Sequence, residues 1–101
     1  MSAAMAERHH RLALSVDLEE WYHSGRWLRG PSIQPVPDMQ GLFQRLYGSD
    51  HPAGEVVAPT RALLDLFDRH GVKVTFFVLG EIARYYPDLV REVADRGHEI
   101  A

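Results

Sequence analysis

The chain has 101 residues, 46% of them hydrophobic, a formal charge of −3 at pH 7 and no cysteine. That length suits one domain or part of one, and the apolar content is enough to bury a core, which excludes a chain disordered by composition. The mild negative charge gives no electrostatic ground for a nucleic-acid partner or an anionic membrane, and the lack of cysteine excludes disulfides and thiolate metal sites while leaving the redox compartment open.

Residues 1–11 read as a flexible polar tail carrying Glu7, Arg8, His9 and His10. The tail lacks the apolar core of a signal peptide, and no segment approaches the roughly 18 consecutive apolar residues of a membrane span. The expectation is a soluble, cytoplasmic chain whose domain begins at Leu12. Leu12–Val16 is a short apolar run and the first strand. It ends abruptly in Asp17-Leu18-Glu19-Glu20, followed by Trp21-Tyr22-His23. A buried strand that delivers carboxylates to the rim of a sheet or barrel is a common arrangement in α/β enzymes.

Ser24 to Pro37 holds Gly25, Gly30, Pro31, Pro35 and Pro37 and reads as a long loop. Asp38 is placed to cap a short helix through Tyr47, with Leu42, Phe43 and Leu46 on one side. After a loop over 48–54, Pro59 is expected to start a stronger helix, since its missing N–H does no harm there. Leu63, Leu66 and Phe67 share its apolar face, and Gly71 ends it. Val72 to Leu79 is almost continuously β-branched and aromatic, the pattern of a parallel strand buried on both faces, with Phe76 and Phe77 both in the core. A helix then runs to about Arg96, with Pro87 marking an alternative start and Tyr86, Leu89, Val90, Val93 and Ala94 as its apolar face. Gly97 stands at the C-cap position, and His98–Ala101 opens the next strand.

The order strand, loop and helices, strand, helix, strand implies a parallel sheet with helical crossovers. Three strands cannot close a barrel, which takes about 250 residues in the (β/α) case. The chain therefore reads as an α/β unit, the front part of a larger domain, with residues 24–57 as a loop or insertion.

Asp17-Leu18-Glu19 after a strand, Val72 to Gly80, Tyr86-Pro87-Asp88-Leu89-Val90 and Gly97-His98-Glu99-Ile100-Ala101 together resemble the polysaccharide deacetylase family, in its branch with an Asp-x-Glu first motif. The resemblance implies a distorted (β/α) barrel, truncated here after about three strands. It implies removal of acetyl groups from acetylated glycans, and a divalent metal, usually zinc, held by one carboxylate and two histidines. By this resemblance Asp17 is the general base and Glu19 the metal ligand, with Glu20 in reserve. Leu18 stands where many members carry the second of two adjacent aspartates. The pairing has a physical logic: a metal polarises the amide carbonyl and lowers the pKa of water, a carboxylate takes the proton, and acids at i and i+2 of an extended segment point the same way, roughly 6.5 Å apart. The family's two histidines follow the stretch matched by Gly97–Ala101, so the chain alone is expected to be inactive and to bind zinc weakly.

Other readings stand beside this one. Asp17 and Glu19 also fit a solvated acidic loop, and Asp17 with Glu19 or Glu20 fits the acid pair of a glycosidase, whose carboxyl separations of about 5–9.5 Å the spacing does not exclude. Relatives within the fold cleave non-sugar ureides. A non-catalytic remnant that binds a partner is a further possibility, since an open sheet edge invites association. Trp21 and Tyr22 either line a sugar groove or pack on the loop that follows. His23 and His98 read more readily as structural than as ligands.

Overall fold

The computed structural model describes residues 11–23 and 39–101. The tail over 1–10 and the loop over 24–37 lie outside the described residues. Three parallel strands, β1 (Ser15–Leu18), β2 (Thr75–Val78) and β3 (Glu99–Ile100), form one sheet in the order β1-β2-β3. A 3-10 turn (Trp21–His23) follows β1, and four helices complete the element order: α1 (Met39–Tyr47), α2 (Val57–His70), α3 (Gly80–Tyr85) and α4 (Pro87–Asp95). No helix among the described residues is long and apolar enough to cross a membrane.

The expected elements are present, with shifted ends. The first strand sits over Ser15–Leu18 rather than Leu12–Val16, because β1 is fixed by its partner: Ser15 pairs with Thr75 and Leu18 with Val78. Asp17 is therefore inside the strand, and Glu19 and Glu20 follow its end directly. The second helix starts at Val57, two residues before Pro59. Proline is tolerated anywhere in the first turn, where N–H groups have no intrahelical partner. Gly71 ends α2 at φ 63°, and the N–H of Val72 bonds back to the carbonyl of Phe67 at 2.9 Å, a Schellman-type stop. The single helix expected after Gly80 is two helices. Tyr86, at φ −131° and ψ 54°, breaks them apart because the residue before Pro87 is sterically barred from the helical region.

Both crossovers step the same way across the sheet, and right-handed connections then put their helices on one face. The core agrees. Leu18 of β1, Phe76 of β2 and Val74 just ahead of β2 cluster with Leu64 of α2, Ile82 of α3, and Leu89 and Val93 of α4. Burying each such side chain contributes roughly 1.5–3 kcal/mol. In α2 the inward face is Thr60, Leu64 and Phe67, while Leu63 and Leu66 are exposed, a correction by one residue to the face read from spacing. A second cluster joins Tyr22, Leu42 and Phe43, with Met39, Tyr47 and Tyr85 packed against it.

The other face of the sheet has no helix on it among the described residues. Phe76 is 0% exposed but its neighbour Phe77 is 49% exposed. The expectation that β2 is buried on both faces, with Phe77 in the core, is thus corrected: the two crossovers supply cover for one side only.

Candidate active site

Alternation along β1 sorts its side chains. Val16, Leu18 and Glu20 turn toward the helix-covered side, and Asp17 and Glu19 are exposed. In the parallel register Asp17 stands beside Phe77. Ala101 lies next in that row, its N–H bonding to the carbonyl of Phe76 and its carbonyl accepting from Val78 N–H, at 2.9 and 3.0 Å. Asp17, Glu19, Phe77, Val78, Leu79 and Ala101 line an open cleft of about 330 Å³ at the carboxyl ends of the strands. Ligands of parallel α/β sheets bind at that end. The two acids expected to work together are therefore brought to one cleft with apolar neighbours.

Glu20 is placed elsewhere. It is 4% exposed, and its carboxylate is taken up by protein donors: the Tyr86 hydroxyl donates to Oε1 at 3.0 Å and the Val56 N–H donates to the carboxylate. Burial raises its pKa above the ordinary carboxylate value, against these two hydrogen bonds, which lower it. A carboxylate already holding two donors on the covered side has little to offer a metal in the cleft.

Trp21 is exposed and Tyr22 is 2% exposed. Tyr22 stacks edge-on against Phe43 at 5.6 Å between ring centres, and Phe43 in turn meets Tyr85 at 5.3 Å. Of the two aromatics expected at a sugar groove, Tyr22 is a core residue, buried because α1 packs over the 3-10 turn. Trp21 keeps an open face, and its indole N–H bonds to the Tyr47 hydroxyl, which is in turn hydrogen-bonded to Glu55.

His23 accepts the backbone N–H of Glu20 on Nδ1 at 2.9 Å, which closes the turn. His98 is buried between Phe67 and Phe76 and accepts the N–H of Val74 on Nδ1 at 3.1 Å. Both imidazoles thus have a structural use, as the sequence favoured.

The residues that sequence reasoning missed are those behind the acids. Gly54 donates its N–H to the Tyr86 hydroxyl at 3.1 Å. Gly54, Glu55 and Val56, just ahead of α2, therefore hold Tyr86, Tyr47 and Glu20 respectively. Tyr86 belongs to a motif the sequence had singled out, but its partner lies 66 residues away, and no local pattern reports that.

Carboxylate oxygens suit zinc and harder divalent ions. Among the described residues, however, no group of three or more His, Asp or Glu side chains comes together to hold a metal ion. Asp17 and Glu19 supply two donors, and a zinc centre needs three protein ligands or four. The described residues do not by themselves make a complete centre.

The family model for polysaccharide deacetylases matches residues 50–101, which takes in α2, β2, α3, α4 and β3. The chain belongs to the polysaccharide deacetylase family. Among its relatives, a chitooligosaccharide deacetylase of Rhizobium leguminosarum bv. trifolii is 50% identical over 42 residues, 42% of this chain and 20% of that protein. A peptidoglycan-N-acetylglucosamine deacetylase of Bacillus cereus is 46% identical over 41 residues, 41% of this chain and 15% of that protein. A peptidoglycan-N-acetylglucosamine deacetylase of Listeria monocytogenes is 41% identical over 51 residues, 50% of this chain and 10% of that protein. The chain thus aligns with a fifth or less of the length of these relatives. No solved structure matches it. Asp17 and Glu19 precede the matched region.

Proposed function

We propose that this chain forms part of the wall of a (β/α) barrel that hydrolyses the acetamide bond of N-acetylated amino-sugar polymers. The observation that carries this reading is the division of the sheet. One face is covered by helices, and the other is bare and presents Asp17 and Glu19 at the carboxyl end. That is how one sector of a barrel wall looks, with the bare face as the lumen. The strand order β1-β2-β3, without reversal, fits a barrel better than a doubly wound sheet.

In this reading Asp17 removes a proton from the attacking water as its oxygen bonds to the amide carbon. The proton then passes from Asp17 to the amide nitrogen as the C–N bond breaks, leaving acetate and the sugar amine. Glu19 is the carboxylate that would contribute to holding a divalent metal, zinc on the family pattern, which when bound would polarise the carbonyl. Phe77, Leu79 and Trp21 offer apolar surface to a pyranose ring.

The test is acetate release from an N-acetylglucosamine tetramer by the protein that carries this chain. Asp17→Asn and Glu19→Gln are each expected to lower turnover by about 10²–10⁴-fold, the usual worth of a positioned acid or base. A chelator is expected to abolish it. Undiminished acetate release by Asp17→Asn overturns the assignment, and chelator-insensitive cleavage of the glycosidic bond points to a glycosidase instead. The 101-residue chain by itself is expected to release no acetate and to bind zinc weakly, because two carboxylates leave a zinc centre short of donors. Zinc-dependent release by the chain alone overturns that expectation.

A further inference from the structure

The buried acid next to the cleft has a task of its own. Glu20 follows the cleft residue Glu19, is 4% exposed and does not line the cleft; with Trp21 it borders a hollow beside α2. Its carboxylate meets Tyr86, the residue between α3 and α4, and Val56 at the start of α2. Tyr86 is itself held by Gly54 N–H. The backbone of Glu20 closes the turn at both ends: its N–H donates to His23 Nδ1 at 2.9 Å, and its carbonyl accepts from His23 N–H at 3.0 Å.

We propose that Glu20 and Tyr86 form a positioning clamp, which fixes the turn after β1 so that Glu19 is presented to the cleft in one conformation. This inference rests on the reading of Asp17 and Glu19 as the working carboxylates. The cleft residue Glu19 and its neighbour in the turn, Trp21, are both exposed, and an exposed turn at a strand end has little to stop it fraying. Glu20 is the point at which this turn is tied to two other segments of the chain, around Val56 and Tyr86, through a carboxylate that is desolvated and hydrogen-bonded. Losing one partner of such a group leaves the other unsatisfied, so the clamp holds both ends or neither. A site needs its groups held to within about half an ångström, by residues that are themselves locked. Tyr86 satisfies that requirement because its hydroxyl both donates to Glu20 and accepts from Gly54.

The experiment is amide hydrogen exchange by NMR on the 101-residue chain, with the Trp21 indole signal followed in a Trp27→Phe background. Four variants are compared with wild type: Tyr86→Phe, Glu20→Ala, Glu20→Gln and Asp17→Asn. Tyr86→Phe removes one oxygen and keeps the ring in place. It is expected to speed exchange at the Glu20 and His23 amides about tenfold, the worth of one buried hydrogen bond, and to shift the Trp21 indole signal, while the Leu64 and Val93 amides keep their rates. Glu20→Ala is expected to do the same. Glu20→Gln keeps an oxygen for Val56 and an amide N–H for the Tyr86 hydroxyl, and is expected to restore most of the protection.

Unchanged exchange at Glu20 and His23 in both Tyr86→Phe and Glu20→Ala overturns the clamp. A proportional rise at every amide overturns it too, since that reports a general loss of stability, and so does a Glu20→Gln variant as loose as Glu20→Ala. Asp17→Asn is expected to leave all these rates unchanged while lowering acetate release by about 10²–10⁴-fold in the protein that carries the chain. If Asp17→Asn stays active, the reading of the site falls, and the exchange data still decide the clamp.

Discussion

Val74 donates its backbone N–H to Nδ1 of His98 at 3.1 Å, joining the entry of β2 to the entry of β3 through a buried imidazole. Because Nδ1 accepts this bond, it carries no proton, and the ring is the neutral tautomer with its proton on Nε2. Burial holds the His98 pKa below its ordinary 6.5, and the Lys73 charge adds to this, as to a lesser degree does Arg96; Asp68 acts in the opposite direction. The unfolded chain therefore binds more protons than the folded one between the lowered pKa and 6.5. Stability is expected to be unaffected by His98 above pH 6.5, to fall as pH drops below it, and to level off below the lowered pKa. The checking measurement is the midpoint of thermal unfolding from pH 7.5 down to 5 for wild type and His98→Gln. A wild-type slope no steeper than that of the variant contradicts the expectation.

Phe76 and Phe77 are adjacent and chemically identical, yet they face opposite ways. Phe76→Ala is expected to cost about 3–5 kcal/mol, the range for a fully buried phenylalanine. Phe77→Ala is expected to cost less than about 1 kcal/mol, because much of its ring is already in water. Urea unfolding of the two variants measures both values. Equal losses would mean that the second face is covered as well.

Gly71 adopts φ 63° to end α2, with open space where a Cβ would stand. Gly71→Ala is therefore expected to suffer backbone strain and no clash, about 1–2 kcal/mol. Gly80, at the N-terminus of α3, has the same open space and no positive φ, so Gly80→Ala is expected to be neutral or slightly stabilising by comparison. Thermal melts of the pair separate conformational strain from packing.

The bare face leaves Phe77 and Leu79 partly exposed, and Ile100 on the edge strand β3 is partly exposed as well. The 101-residue chain is expected to associate as its concentration rises. Sedimentation velocity over a hundredfold concentration range tests this, and a monodisperse monomer throughout would contradict it.

Local chemistry made much of this protein legible. Gly71 and Pro87 fall at helix boundaries, where their backbone restrictions require them. The apolar runs around Val16 and Phe76 are strands, and the alternation of strand and helix correctly implied parallel pairing. The acids after the first strand do stand at the carboxyl edge of the sheet. The sequence alone determined these features because each depends on residues within one or two turns of each other.

Only the tertiary structure decided which side of each element is covered. Periodicity reports that Phe77, Tyr22 and Leu63 are apolar. It does not report that two crossovers on one side leave Phe77 in the open, that α1 closes over Tyr22, or that α2 presents Leu64 in place of Leu63. The separation of Glu20 from Asp17 and Glu19 has the same origin. Three acids within four residues look alike in sequence. One of them is claimed by a tyrosine hydroxyl 66 residues away, and a contact that long in sequence exists only once the helices have packed.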